Sequence, residues 1–147
     1  MSDSEMPTLT GASLDDGFSA IWFIASKYLI FRNIQVTRYG AAFRSSGNVT
    51  NTIWDRVNMK DFYSSTKNTG GGIYIRTSTN NNNRVKDVRV INCGMVGVEM
   101  RNGTGYNLYD GVKSYNDNTG TNEKQDYHLV INGGNNIIRN CHIENFN

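Results

Sequence analysis

Apolar residues recur along this chain in steps of three and then two, and the unit returns five times. Its central column is Ile34, Val57, Val88, Val112 and Cys141. Three residues earlier stand Phe31, Trp54, Val85, Tyr109 and Ile138; two residues later stand Val36, Met59, Val90, Ser114 and Ile143. Four residues after the centre comes a polar set, Arg38, Asp61, Asn92, Asn116 and Asn145. Successive copies lie 23, 31, 24 and 29 residues apart. A period of this size with strand-like patterning predicts a solenoid of stacked coils, about five here.

Each unit also contains an earlier strand. Gly40-Ala41-Ala42-Phe43-Arg44 aligns with Gly72-Ile73-Tyr74-Ile75-Arg76 and Gly97-Val98-Glu99-Met100-Arg101. Looser copies are Ala20-Ile21-Trp22-Phe23-Ile24 and His128-Leu129-Val130-Ile131-Asn132. Strand alternation puts Ile73, Ile75, Val98 and Met100 inside and Tyr74, Arg76, Glu99 and Arg101 outside. The intervening stretches are rich in Gly and Asn, which tolerate the left-handed backbone that sharp corners demand. Two longer insertions, 64–71 and 117–125, read as loops projecting from the stack. The Asn92, Asn116 and Asn145 column reads as a ladder of stacked amides at one turn.

The segments Leu29-Ile30-Phe31-Arg32-Asn33-Ile34-Gln35-Val36 and Asn136-Ile137-Ile138-Arg139-Asn140-Cys141-His142-Ile143 give the chain its family likeness. It resembles the right-handed parallel β-helix of the pectate-lyase-like superfamily over about residues 18–147. The resemblance implies an all-β, right-handed parallel β-helix. It leaves function open among polysaccharide lyases, glycoside hydrolases, epimerases, phage tailspikes and non-catalytic surface proteins.

Composition narrows the choice. Charged residues are 19% of 147, below the usual quarter, and Asn, Gly, Thr and Ser take their place. A net charge of +2 gives no electrostatic case for nucleic acid or a membrane surface, and no apolar run approaches a membrane span. Residues 1–17 read as an N-terminal cap or tail, with Met6, Leu9 and Leu14 as apolar contacts, and 18–147 as the β-helix domain. Residues 1–16 lack the apolar core of a signal peptide. Cys93 and Cys141 read as buried free thiols, with no zinc or disulfide framework.

Candidate chemistry lies on the outward face. The alignment stacks Arg44, Arg76 and Arg101 in one row, and Trp22, Ala42, Tyr74, Glu99 and Val130 in the next. Two guanidiniums about 5 Å apart repel by roughly 3 kcal/mol at an effective dielectric near 20, so such a row calls for an anion. Glu99 supplies part of it, and a bound acidic polysaccharide would supply the rest through arginine's planar fork. The expected substrate-binding set is Arg44, Tyr74, Arg76, Glu99 and Arg101.

β-Elimination of a uronide would draw on Arg76, Arg101 and His128 as catalytic groups. The superfamily's lyases use an acidic calcium cluster. Here Glu99 is the only acid on the mapped face, so no cofactor is expected, and calcium lacks a clear ligand set. No paired aspartates align for hydrolysis.

The expectation is a carbohydrate-interacting module that binds an acidic polysaccharide, with β-eliminative cleavage left open. If it is an enzyme, it is a polysaccharide lyase. The alternative is a non-catalytic structural or receptor-binding β-helix, such as part of a phage tailspike or surface assembly. That reading expects a homo-oligomer, or continuation of a larger chain, at the C-terminal end. Either way the expected location is extracellular or at a virion or cell surface.

Overall fold

The odd three-residue step in the repeat has a backbone cause. Asn33, Arg56, Asp87, Gly111 and Asn140, one residue before the central column, all adopt positive φ between 50° and 73°. A left-handed residue inserted into a strand turns the chain, so two inward positions end up three apart instead of two. A second column, Tyr28, Asn51, Asn82, Tyr106 and Asn135, repeats the conformation, and Arg38, Asp61 and Asn92 form a third. All twelve non-glycine residues with positive φ among those described fall in these three columns. The corners therefore stack as regularly as the strands.

A computed structural model describes residues 5–11, 19–62, 71–76, 79–93, 96–101, 105–116 and 127–145. The chain climbs in tiers. The first holds β1 (Thr8–Thr10), β2 (Ser19–Phe23), β3 (Ser26–Lys27) and β4 (Ile30–Thr37). The second holds β5 (Ala41–Ser45), β6 (Val49–Thr50) and β7 (Ile53–Phe62). The third holds β8 (Gly71–Ile75), β9 (Asn80–Asn81), β10 (Arg84–Lys86) and β11 (Arg89–Cys93). The fourth holds β12 (Val96–Met100), β13 (Leu108–Asp110) and β14 (Lys113–Asn116). The last described tier holds β15 (Tyr127–Ile131), β16 (Ile137–Arg139) and β17 (His142–Asn145).

Every pairing between these strands is parallel. A five-stranded sheet runs β15-β12-β8-β5-β2, a three-stranded sheet β3-β6-β9, and a nine-stranded sheet takes the rest. The chain is an all-β parallel solenoid of about four turns, with no helical element among the described residues. The core columns stack in the register read from sequence: Phe31 on Trp54, Val85 on Trp54, Val90 on Met59 and on Ser114. Phe31, Phe43 and Trp54 pack with ring centroids 4.8 to 6.2 Å apart, and Trp54, Phe43, Met59 and Tyr109 are fully enclosed.

A buried amide ladder supports one corner. The Thr52 N–H donates to Asn83 Oδ1, the Asn83 N–H to Asn107 Oδ1 and the Asn107 N–H to Asn136 Oδ1, each at 3.0 Å. The amide groups of Asn83 and Asn107 donate in turn to the Val49 and Asn80 carbonyls at 2.9 and 3.2 Å. Each side chain thus satisfies the backbone of a neighbouring tier, which a buried corner requires. This ladder is additional to the expected Asn92, Asn116 and Asn145 column, whose buried members Asn92 and Asn116 are themselves engaged. Asn92 occupies a left-handed turn position, Asn116 lies within β14 paired with Asn145 of β17, and the Asn145 side chain lies outside the described residues.

Three expectations are corrected. The β5 copy is displaced by two residues, because Ala41 pairs with Gly71 and Phe43 with Ile73. Gly40 precedes the strand, and the Gly72 position is filled by Ala42, which is buried and not outward. Where a further tier stacks on it, that position admits only a small side chain. A Cβ on Gly72 would meet the Gly97 carbonyl oxygen at 2.5 Å and Met59 at 3.0 Å. Next, Tyr74 and Glu99 are not on an exposed surface: Tyr74 is 6% and Glu99 0% accessible. Third, Cys141 is only partly buried, because no further described tier covers it. Leu9, expected as a capping contact, is 37% exposed on β1, which adds to the edge of the first tier by pairing with β4. Leu14 and both insertions fall largely or wholly outside the described residues.

Candidate functional site

The displaced register changes the face on which chemistry was expected. The outward row on the five-stranded sheet is Trp22, Arg44, Tyr74, Glu99 and Val130. Arg44 sits between two aromatic residues instead of stacking on Arg76. Its guanidinium carbon is 5.6 Å from the Trp22 ring and 6.0 Å from the Tyr74 ring. Arg76 approaches the same tyrosine at 4.4 Å. Such cation–π contacts each contribute roughly 0.5–2 kcal/mol, depending on solvent exposure.

Glu99 organises the other end of the row. Arg76 Nε donates to Glu99 Oε1 at 2.9 Å, and Arg101 Nε engages the same oxygen. The carboxylate is covered by these two cations, whose side chains remain 30% and 38% exposed. Glu99 Oε2 has no hydrogen-bond partner among the described residues. Burial pushes the Tyr74 phenol above its ordinary pKa, with Arg76 acting in the opposite sense. The expected set Arg44, Tyr74, Arg76, Glu99 and Arg101 is therefore brought together as one cluster of three cations and one anion. Trp22, 65% exposed, forms its outer end.

His128 does not join the cluster. Its Nδ1 lies 2.7 Å from the Ser114 hydroxyl of β14, so the ring turns into the stack rather than standing at a surface corner. The reason is local: His128 succeeds Gly72 and Gly97 at the position where the strand bends toward the large sheet, and a Cβ on Gly97 would itself meet Ser114 at 3.0 Å.

Sequence reasoning missed two rows on the large sheet. One is a ladder of alternating charge, Arg32, Asp55, Lys86, Asp110 and Arg139, each beside the next in register. Arg32 meets Asp55 and Arg139 meets Asp110, both at 2.7 Å. The other is Gln35, Asn58, Arg89, Lys113 and His142, flanked by Thr37, Lys60, Ile91, Tyr115 and Glu144. Both rows were open to reading one step beside the core columns already aligned. Among the described residues, no three His, Cys, Asp or Glu side chains converge as a metal site would require.

These features define a class, a parallel β-solenoid with cation and aromatic rows on its outer faces. No protein family, curated protein or solved structure matches the chain.

Proposed function

We propose that the chain is a carbohydrate-interacting module, a right-handed β-helix of the pectate-lyase-like kind, that binds an acidic polysaccharide across Trp22, Arg44, Tyr74, Arg76 and Arg101. The observation that carries the reading is Arg44 held between Trp22 and Tyr74. Aromatic flanks fix the guanidinium plane while leaving its N–H edge for a carboxylate, and exposed Trp22 presents a flat surface to a sugar ring. Three cations against Glu99 leave a local excess of positive charge. Such a ligand belongs with an extracellular, virion-surface or cell-surface protein.

Binding is favoured over turnover. β-Elimination needs a base, and arginine does not deprotonate in proteins. The Tyr74 phenol is raised by burial, and His128 faces Ser114. Calorimetric titration with polygalacturonate, alginate and hyaluronan tests the proposal. Trp22→Ala and Arg44→Ala should each weaken binding about tenfold. Equal affinity in the parent and both variants would sink it. Growth of ultraviolet absorbance from unsaturated uronide ends would show cleavage and overturn the preference for binding alone.

A second reading, a structural β-helix that assembles, is favoured by the last described tier. Ile138 and Ile143 are 55% and 51% exposed there, whereas Tyr109 and Ser114 one tier below are fully buried. A second copy covering this tier would remove that apolar surface from water. A solution mass equal to one chain sinks this reading.

A further inference from the structure

We propose a second ligand site, on the large sheet, that binds a tetrahedral oxyanion ester carried on a sugar or polyol. A cavity of about 250 Å³ is lined by Gln35, Asn58, Met59, Lys60, Arg89 and Ile91. A second of similar volume adjoins it, lined by Asp87, Val88, Arg89, Gly111 and Lys113. Arg89 forms the wall between them. Neither is large enough for a drug-sized molecule, and together they fit one small polar group with its substituent.

Three cations surround this point from three strands. Arg89 lies beside Lys113 of the next tier in the same row, and Lys60 lies beside Ile91 in the flanking row. Tier spacing is about 4.8 Å, so the three heads can reach a common anion. Of the acids nearby, Asp61 pairs with Lys60 at 3.8 Å and offsets part of that charge, whereas Asp87, on the wall of the second cavity, pairs with Lys86 at 3.9 Å and Glu144 with His142 at 3.0 Å. Lys113 has no ionic partner among the described residues. Tyr115 steadies Arg89, with the guanidinium carbon 5.7 Å from its ring.

The shape of the donor set selects the anion. A carboxylate presents two oxygens in one plane, which suits a single arginine fork. Donors arriving from three directions suit a tetrahedral group with three acceptor oxygens, as a phosphate has. The side-chain amides of Gln35 and Asn58, one tier apart, make no hydrogen bond among the described residues and face the first cavity. They supply donors and acceptors for adjacent hydroxyls, and Ile91 supplies an apolar contact for the ring. The site is independent of the Trp22 to Arg101 cluster on the five-stranded sheet.

Amide NMR titration with glucose 6-phosphate, glucose 6-sulfate and glucuronate tests this. Saturable shifts are expected in β7, β11 and β14, with either ester bound more tightly than glucuronate. The tighter ester then identifies the source as a phosphorylated polymer or a sulfated glycan. Arg89→Ala with Lys113→Ala should weaken ester binding about tenfold or more, and Trp22→Ala should leave it unchanged. Should the double variant misfold, Lys113→Gln alone should weaken binding about threefold. The site is refuted by any of four results: no saturation with either ester, shifts confined to β5, β8 and β12, glucuronate bound as tightly, or unchanged affinity in the folded variants.

Discussion

The Arg76 guanidinium stands 4.4 Å over the Tyr74 ring while its Nε donates to Glu99 one tier away at 2.9 Å. One cation thereby joins the aromatic half of the face to its charged half. Glu99 also takes Arg101, so two arginines that would otherwise repel share a single carboxylate oxygen.

Glu99→Gln keeps the shape and an acceptor but removes the bridging charge. Breaking a buried pair costs about 3–5 kcal/mol when the surviving charge stays buried. Here both arginines are about a third exposed, which reduces the expected loss to about 1–3 kcal/mol. The urea midpoint at neutral pH should fall accordingly, and added salt should restore part of it by screening the arginine pair. An unchanged midpoint would mean that the arginines separate freely and the clamp contributes nothing.

The amide ladder is more sensitive to truncation than the charged rows. Asn107→Ala deletes the acceptor of the Asn83 N–H and the donor to the Asn80 carbonyl, both inside the stack. Two buried backbone groups are left unpaired, at about 1–3 kcal/mol each, so a loss of about 2–6 kcal/mol is expected. Asn136→Ala, whose amide donates to an exposed carbonyl, should cost only about 1–2 kcal/mol. Urea denaturation of the two variants side by side checks the order, and a reversal would show that the ladder does not support the corner.

The core columns were legible in the sequence because apolar identity is imposed at each of them by burial. Phe31 over Trp54 and Val90 over Met59 followed from spacing alone. The outward face was less legible. A slip of two residues in a strand preserves alternation, so aligning Gly40 with Gly72 kept Phe43 inward and Arg44 outward while moving Arg44 to the wrong neighbour and placing buried Ala42 on the outer row. The position is marked by close approach at Gly72 and Gly97, where an added Cβ would come within 2.6 Å of the next tier's carbonyl oxygen, and the alanine that holds the place in β5 hides it from a match on glycine. Burial of Glu99 was hidden for a related reason. Strand alternation gives the side of the sheet but not what long side chains such as Arg76 and Arg101 lay over it.

The two thiols should separate cleanly. Cys93 is fully enclosed, and burial, with Asp61 adding to it, pushes its thiol well above the ordinary pKa. Cys141 is partly exposed. Reaction of the native protein with a disulfide reagent should consume one thiol equivalent quickly, and the second only after denaturant is added. Fast reaction of both would show that the tier carrying Cys93 opens readily.

The charge ladder makes stability depend on acid at one identified residue. Hydrogen bonds from Arg139 at 2.7 and 2.9 Å and from Asn140 at 2.9 Å hold the Asp110 carboxyl below its ordinary pKa. A carboxyl depressed in the folded state stabilises that state fully above its unfolded pKa, about 3.9 for aspartate. The contribution fades as pH falls through the depressed folded value. Asp110→Asn should therefore be less stable than the parent at neutral pH, by an amount that stays constant down to about pH 5. Below about pH 4 the two should converge, because protonation removes from the parent what the substitution has already removed from the variant. Thermal midpoints of both proteins across this range provide the measurement. A gap that persists undiminished at the acid end would assign the effect of the substitution to packing, and leave the Arg139 pair without a share in acid stability.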